Sequence, residues 1–181
     1  MKYWVFVGVF ICSGAMAPLF SWANMSDFSA GPVFESFGKH APVSGIQISS
    51  QQKFKIAFDV AKGAEPGTMN RRFETLARFI NMHVANGAKL ENIDLALVVH
   101  GSATIDVMNN NAYKSRKGKD NGSKALLDAL MSHGVRVIVC GQSAAANDVK
   151  KNMLIEGVEV DLSAMTAHAR LNEEGYRVNP F

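Results

Sequence analysis

Ile93-Asp94-Leu95-Ala96-Leu97-Val98-Val99-His100-Gly101-Ser102 is the stretch that decides the fold. Its first seven residues are apolar except for Asp94, and they show no polar alternation. A strand with one wet face alternates. A strand covered on both faces does not, and such strands belong to parallel sheets sandwiched between helices. The run then meets Gly101, where the chain can turn away from the sheet. A buried strand over Ile93–Val99 is the expectation.

Working outward, the same pattern recurs on both sides. Phe54–Val60 reads as a strand stopped by Gly63 and Pro66-Gly67, and Val135–Val139 and Val158–Leu162 read as two more. Tyr176–Val178 adds a short terminal strand. Helices fill the intervals. Thr68 can cap one that carries Met69, Phe73, Leu76, Ile80 and Val84 on one face and Arg71, Arg72, Glu74 and Arg78 on the other. Thr104–Tyr113 reads as a short helix, and Lys114 to Gly122 as a basic, solvated loop. Ser123 caps a helix that buries Leu126, Leu127, Leu130 and Met131 and ends at Gly134. Ser143–Met153 is the next, and Ser163 caps the last, through Ala164, Ala167 and Leu171 to Gly175. Strands and helices alternating at this spacing predict an α/β fold: a three-layer sandwich around a mainly parallel sheet of about five strands, with right-handed crossovers.

The segment ahead of this pattern is different. Residues 24–52 mix Gly, Pro and Ser with isolated Phe28, Phe34 and Phe37, an irregular arm whose rings can dock on the domain or on a neighbouring subunit. Residues 1–23 read as a signal peptide. Lys2 supplies the charge, Tyr3 to Cys12 is apolar but for Gly8, and Ser21-Trp22-Ala23 offers a small-x-small cleavage site before Asn24. The mature chain is then periplasmic, with a single domain over residues 53–181 and no membrane contact after cleavage. Removing Lys2 lowers the net charge from +3 to +2, too small for a nucleic-acid binder. A chain this long buries roughly 70% of its unfolded surface and needs no disulfide or metal staple.

Cysteine usage singles out one residue. The chain has two cysteines, and Cys12 leaves with the signal peptide. Cys140 is then a lone thiol in an oxidising compartment, either packed and inert or kept for its reactivity. Parallel strands point their carboxyl ends at one edge, where ligands bind. Three ends there carry chemistry: His100-Gly101-Ser102, Cys140-Gly141-Gln142-Ser143 and Asp161-Leu162-Ser163. Gly101 and Gly141 would let the backbone approach a ligand, while helices starting near Ser143 and Ser163 would present free amides and a positive dipole end. A thiol beside such an end titrates below a free cysteine, and a protonated His100 would add to the effect. His83, His133 and His168 read as surface or packing residues. No His, Cys, Asp or Glu spacing matches a metal site, and neither a dinucleotide fingerprint nor a nucleophile elbow is present, so no cofactor is expected.

Val99-His100-Gly101, Gly134-Val135 leading to Val139-Cys140-Gly141-Gln142-Ser143, Leu162-Ser163-Ala164-Met165-Thr166 and Gly175-Tyr176 together resemble the DsrE/DsrF-like sulfur-relay family. Its exported branch is the nearest match, through an arm similar to Gly31-Pro32-Val33 and Phe37-Gly38, through Asn81-Met82-His83 and through a terminal Asn179-Pro180-Phe181. The resemblance implies a compact α/β subunit that assembles into trimers or hexamers. It also implies that the matching cysteine, Cys140, carries sulfur as a persulfide.

Three functions compete on the sequence. The first is a sulfur carrier or sulfurtransferase, in which Cys140 takes sulfane sulfur from a donor and yields it to an acceptor protein or small thiol. His100 would tune the thiolate, and Gly101, Gly141, Gln142, Ser143 and Ser163 would cradle the substrate. A second is a non-catalytic oligomeric binding or scaffold module whose cysteine merely packs. The third is a thiol redox sensor, which without a resolving cysteine would form only intermolecular disulfides.

Overall fold

The computed structural model describes Met1 and residues 27–179. The signal peptide, the first residues of the arm and Pro180-Phe181 lie outside the described residues. Five strands form one sheet: β1 (Phe54–Val60), β2 (Ile93–Val99), β3 (Arg136–Cys140), β4 (Glu159–Asp161) and β5 (Arg177–Asn179). Their order is β4-β3-β2-β1-β5, and every pairing is parallel. Register sets Ala57 beside Ala96, Leu97 beside Val137 and Cys140 beside Asp161. The three-layer α/β expectation holds.

Five α-helices connect them: α1 (Arg71–Ala85), α2 (Asn110–Lys117), α3 (Lys124–Ser132), α4 (Gly141–Ala146) and α5 (Ala164–Glu173). From β1 to β4 the chain steps one way across the sheet, so right-handed crossovers keep the intervening helices on one face. Phe58, Val60, Leu95, Leu97, Val99, Val137 and Val139 meet Phe73, Leu76, Ile80, Leu126, Leu127 and Leu130 there. The last crossover returns over the whole sheet to β5, which puts α5 on the opposite face. Ala167, Leu171 and Tyr176 press there on Ala57, Ala96, Val98 and Ile138. The small alanines on this face let one helix lie close.

Several boundaries differ from the sequence reading, each for a local reason. Asn70, not Thr68, caps α1, and its side chain accepts from the Arg72 amide at 3.0 Å. Gly101–Val107 is a 3-10 turn, and the helix expected over 104–113 starts only after Asn109, whose side chain accepts from the Ala112 amide. Residues 114–117 of the basic run are therefore helical, and only residues 118–122 form the expected loop. Lys114, Arg116 and Lys117 occupy the last turn of α2, where cations favour the helix dipole, and Gly118 closes it at φ +70°. Ser123 precedes α3 without a side-chain cap bond, because its hydroxyl accepts from the Asn70 amide instead. The helix expected over 143–153 is only α4, followed by a separate 3-10 turn at Lys151–Met153.

The arm docks on its own domain. Asn81 of α1 is fully buried. Its Oδ1 accepts from the Val33 and Phe34 amides, and its Nδ2 donates to the Phe34, Phe37 and Gly38 carbonyls. Phe34 enters the core and lies 4.7 Å from the His133 ring, whereas Phe28 stays exposed. Among the described residues no helix is long and apolar enough to cross a membrane.

Candidate functional site

Cys140 ends β3, and α4 follows at once on the α1–α3 face, where Ala144 and Val149 join the main core. The neighbouring strand β4 leads instead into α5 on the other face. Connections that diverge from adjacent parallel strands open a crevice at their carboxyl ends, the usual ligand position in such sheets. Cys140 sits in that crevice, aligned with Asp161 in register.

The sulfur is bonded from α4 and feels donors from both helices. Sγ itself is the N-cap of α4 and accepts from the Ser143 amide at 3.4 Å. The Gln142 and Ala164 amides and the Ser143 side chain lie near enough to favour its thiolate as well. Burial alone would push the Cys140 thiol up. The donors of Ser143, Ala164 and Gln142 outweigh it, so the thiol titrates below an ordinary cysteine. The seat is deep: Cys140 is only 6% exposed in the single chain. The sulfur is therefore an activated but shielded group, not the open thiol an accessible nucleophile would be.

The other sequence candidates take definite places. Ser143 is not the N-cap of its helix. Its amide serves the sulfur, while its hydroxyl accepts from the Gly101 amide at 3.0 Å, tying the end of β2 to that of β3. Gln142 adds a side-chain bond to the Leu162 carbonyl at 3.4 Å, closing the β3 and β4 ends over one another. Gly141 is needed for a close approach, but to protein rather than ligand, because a Cβ there would lie 2.7 Å from the Asp161 carbonyl oxygen. Gly101, at φ +54°, likewise crowds the Ala61 carbonyl. Ser163 caps α5 as expected and accepts from the Thr166 amide at 3.0 Å. Its role is thus to start the helix whose first amide reaches Cys140.

His100 is occupied elsewhere. Its Nε2 lies 2.9 Å from Asp59 Oδ2, and the groups that shift the Cys140 thiol do not include it. Asp59 Oδ1 meets His168 Nε2 of α5 at 2.7 Å. One carboxylate thus joins the end of β2 to α5, and His168, read from sequence as a surface or packing residue, is part of that bridge. Asp59 alternates with Phe58 and Val60 along β1, which points it to the α5 face, yet nothing local in the sequence signals the partnership. Among the described residues no group of three or more His, Cys, Asp or Glu side chains is arranged for a metal. In the β4–α5 connection and the first turn of α5, Leu162 is 68% and Met165 81% exposed.

The model of the DsrE/DsrF-like family matches residues 53–180, leaving the arm outside the match. No curated relative matches significantly. Among solved structures, a protein of unknown function, MTH1491 from Methanobacterium thermoautotrophicum, is 17% identical at a TM-score of 0.51, covering 70% of this chain and 98% of its own. The ychN protein from E. coli is 20% identical at a TM-score of 0.49, over 72% of this chain and 100% of its own. At such identity the likeness to MTH1491 speaks for the fold alone.

Proposed function

Of a chain that belongs to the DsrE/DsrF-like family, we propose that it is a periplasmic sulfur carrier or sulfurtransferase that holds sulfane sulfur as a persulfide on Cys140. The observation that carries this reading is the convergence of amides from α4 and α5, with the Ser143 hydroxyl, on a thiol at the crevice between β3 and β4. Such donors favour the thiolate, the form that attacks. With thiosulfate as donor, the Cys140 thiolate attacks the outer sulfur, the S–S bond to the sulfonate breaks, and sulfite leaves with the bonding electrons. An acceptor thiolate then attacks the terminal sulfur of Cys140-S-SH and releases the Cys140 thiolate. Both steps are exchanges at sulfane sulfur and need no outside oxidant.

Export by the signal peptide and assembly into a homo-oligomer, a trimer or hexamer, belong to the same proposal. An apolar groove of about 530 Å³ between arm and α1, lined by Phe28, Val43, Ile46 and Met82, supports assembly. N-terminal sequencing of envelope protein should begin at Asn24, and light scattering should show a multimer.

The chemistry is tested by intact mass after incubation with thiosulfate or polysulfide. The native protein should gain one sulfur and the Cys140→Ser variant none, while serine, a good N-cap, keeps α4 in place. A native protein that gains no sulfur, and whose thiol resists alkylation until unfolded, rejects the proposal. The 6% exposure of Cys140 favours a second reading in that event: a binding or scaffold module in which the sulfur serves only as the cap of α4.

A further inference from the structure

Away from Cys140, at the carboxyl ends of β1 and β2, lies a second concavity of a different chemistry. It is a polar cavity of about 210 Å³ between the loop after β1 and the 3-10 turn after β2, with Gly63, Ser102, Asp106, Tyr113, Lys117 and Asn147 in its wall. That is far more room than one water needs, and it is below the ~300 Å³ at which pockets begin to hold drug-sized ligands. The space suits a molecule of very few heavy atoms.

Its wall is built around a carboxylate that is only half used. Asp106 is 2% exposed, and both of its hydrogen bonds, from the Ala64 amide and from Asn70 Nδ2, each at 2.8 Å, end on Oδ2. These tether the β1 loop, and they leave Oδ1 over. Tyr113 is equally buried. Its hydroxyl accepts from the Gly67 amide at 3.2 Å, and its own proton has no acceptor among the described residues. Asn147 spends its Nδ2 on the Ser143 carbonyl, which leaves its Oδ1 as an acceptor. Lys117 brings the opposite charge. Its field reaches Asp106 and favours the carboxylate, yet no ion pair within 4 Å joins the two. Burial pushes the Asp106 carboxyl up, as expected of an ionisable group kept out of water without a full set of partners. A carboxylate and an ammonium that face one small cavity without closing on each other complement a ligand carrying both charges.

We propose that this cavity binds a small zwitterion of α-amino-acid size, its ammonium on Asp106 Oδ1 and Asn147 Oδ1 and its carboxylate on Lys117 and the Tyr113 hydroxyl. The site is separate from the Cys140 crevice and does not depend on sulfur chemistry there.

Isothermal titration of the full chain with L-alanine, propionate and ethylamine tests it. L-Alanine should bind at millimolar concentration or below, and the two single-charge analogues should bind about tenfold more weakly or worse, the cost of one lost charge-assisted hydrogen bond. Lys117→Gln is exposed and should fold normally while weakening L-alanine binding by about the same factor. Asp106→Asn should abolish binding. If that variant fails to fold because the loop tether is lost, Lys117→Gln and Tyr113→Phe carry the test. Absence of L-alanine binding at millimolar concentration overturns the proposal. So does equal binding of propionate or ethylamine, or unchanged affinity in Lys117→Gln. Persulfide formation on Cys140 should be the same in Lys117→Gln as in the native protein, which separates failure of this site from failure of the sulfur chemistry.

Discussion

Asp59 and His168 stand 109 residues apart in the chain and meet at 2.7 Å, β1 to α5, through His168 Nε2 and Asp59 Oδ1. The other oxygen of the carboxylate takes His100 Nε2 at 2.9 Å. This bridge holds α5, on the second face, against the sheet at the edge where Cys140 lies.

Acid should loosen it. Burial alone would raise the Asp59 carboxyl, but the bonds and charges of His100 and His168 outweigh it and hold the group below the ordinary carboxylate range. A depressed carboxyl stabilises the fold in full above its unfolded value of about 3.9, and that stability is lost as pH falls through the lower folded value. Urea midpoints measured from neutral pH downward should therefore drop more steeply in the native protein than in Asp59→Asn, whose curve should be lower at neutrality and flatter below about pH 4. Parallel curves would show that the bridge contributes nothing.

Ser143→Ala removes a side chain that favours the Cys140 thiolate and leaves the Gly101 amide without its partner. The thiol should titrate higher, and alkylation of the native fold at neutral pH should slow several-fold. His100→Ala should leave the alkylation profile where it is, because its ring bonds Asp59 rather than the sulfur. A rise in the His100→Ala midpoint would show that the imidazole acts on the thiol from a distance.

Asn81→Leu should release the arm. The amide serves five backbone groups between Val33 and Gly38, and leucine would strand them in an apolar setting. A loss of about 3 kcal/mol or more is expected by chemical denaturation, since each buried unsatisfied group costs ~1–3 kcal/mol. Limited proteolysis should cut the arm before the domain. Cleavage at the native rate would mean that Phe34 and bonds such as that from the Gly38 amide to Glu74 hold the arm without Asn81.

Gly141→Ala tests how tightly the crevice is built. Its Cβ would stand 2.7 Å from the Asp161 carbonyl, a backbone atom that can yield only by moving the β4–α5 connection. Overpacking of this kind costs ~1–3 kcal/mol. The same movement would draw the Ala164 amide from the sulfur, so the thiol pKa should rise along with the loss of stability.

The strands were the most legible part. Phe54–Val60 and Ile93–Val99 have the bounds the sequence predicted, because the apolar positions carry each strand through Lys55, Asp59 and Asp94 until Gly63 and Gly101 let the chain leave the sheet. Caps were less legible where two capable residues stand close. Thr68 and Asn70 compete two positions apart, and the choice fell to Asn70, which also reaches Asp106 and the Lys62 carbonyl. The helix Asn110–Lys117 hid for another reason. It buries only Tyr113 and shows no apolar period, although Asn109 and Gly118 mark its two ends. In the site, the place of Cys140 at a strand end between helix starts was readable. The partnership of His100 and His168 with Asp59 was not, since it depends on which face α5 takes after a crossover of the whole sheet.

That crossover has a consequence for folding. β1 acquires its second neighbour only when β5 arrives at the far end of the chain, pairing Ile56 with Arg177 and Phe58 with Asn179. Until β5 pairs, β1 has one flank open. The three residues of β5 add few hydrogen bonds, but they seal the flank along which another incomplete chain could add a strand. A chain cut short before Arg177 would thus have nearly all of its core and an edge primed for aggregation.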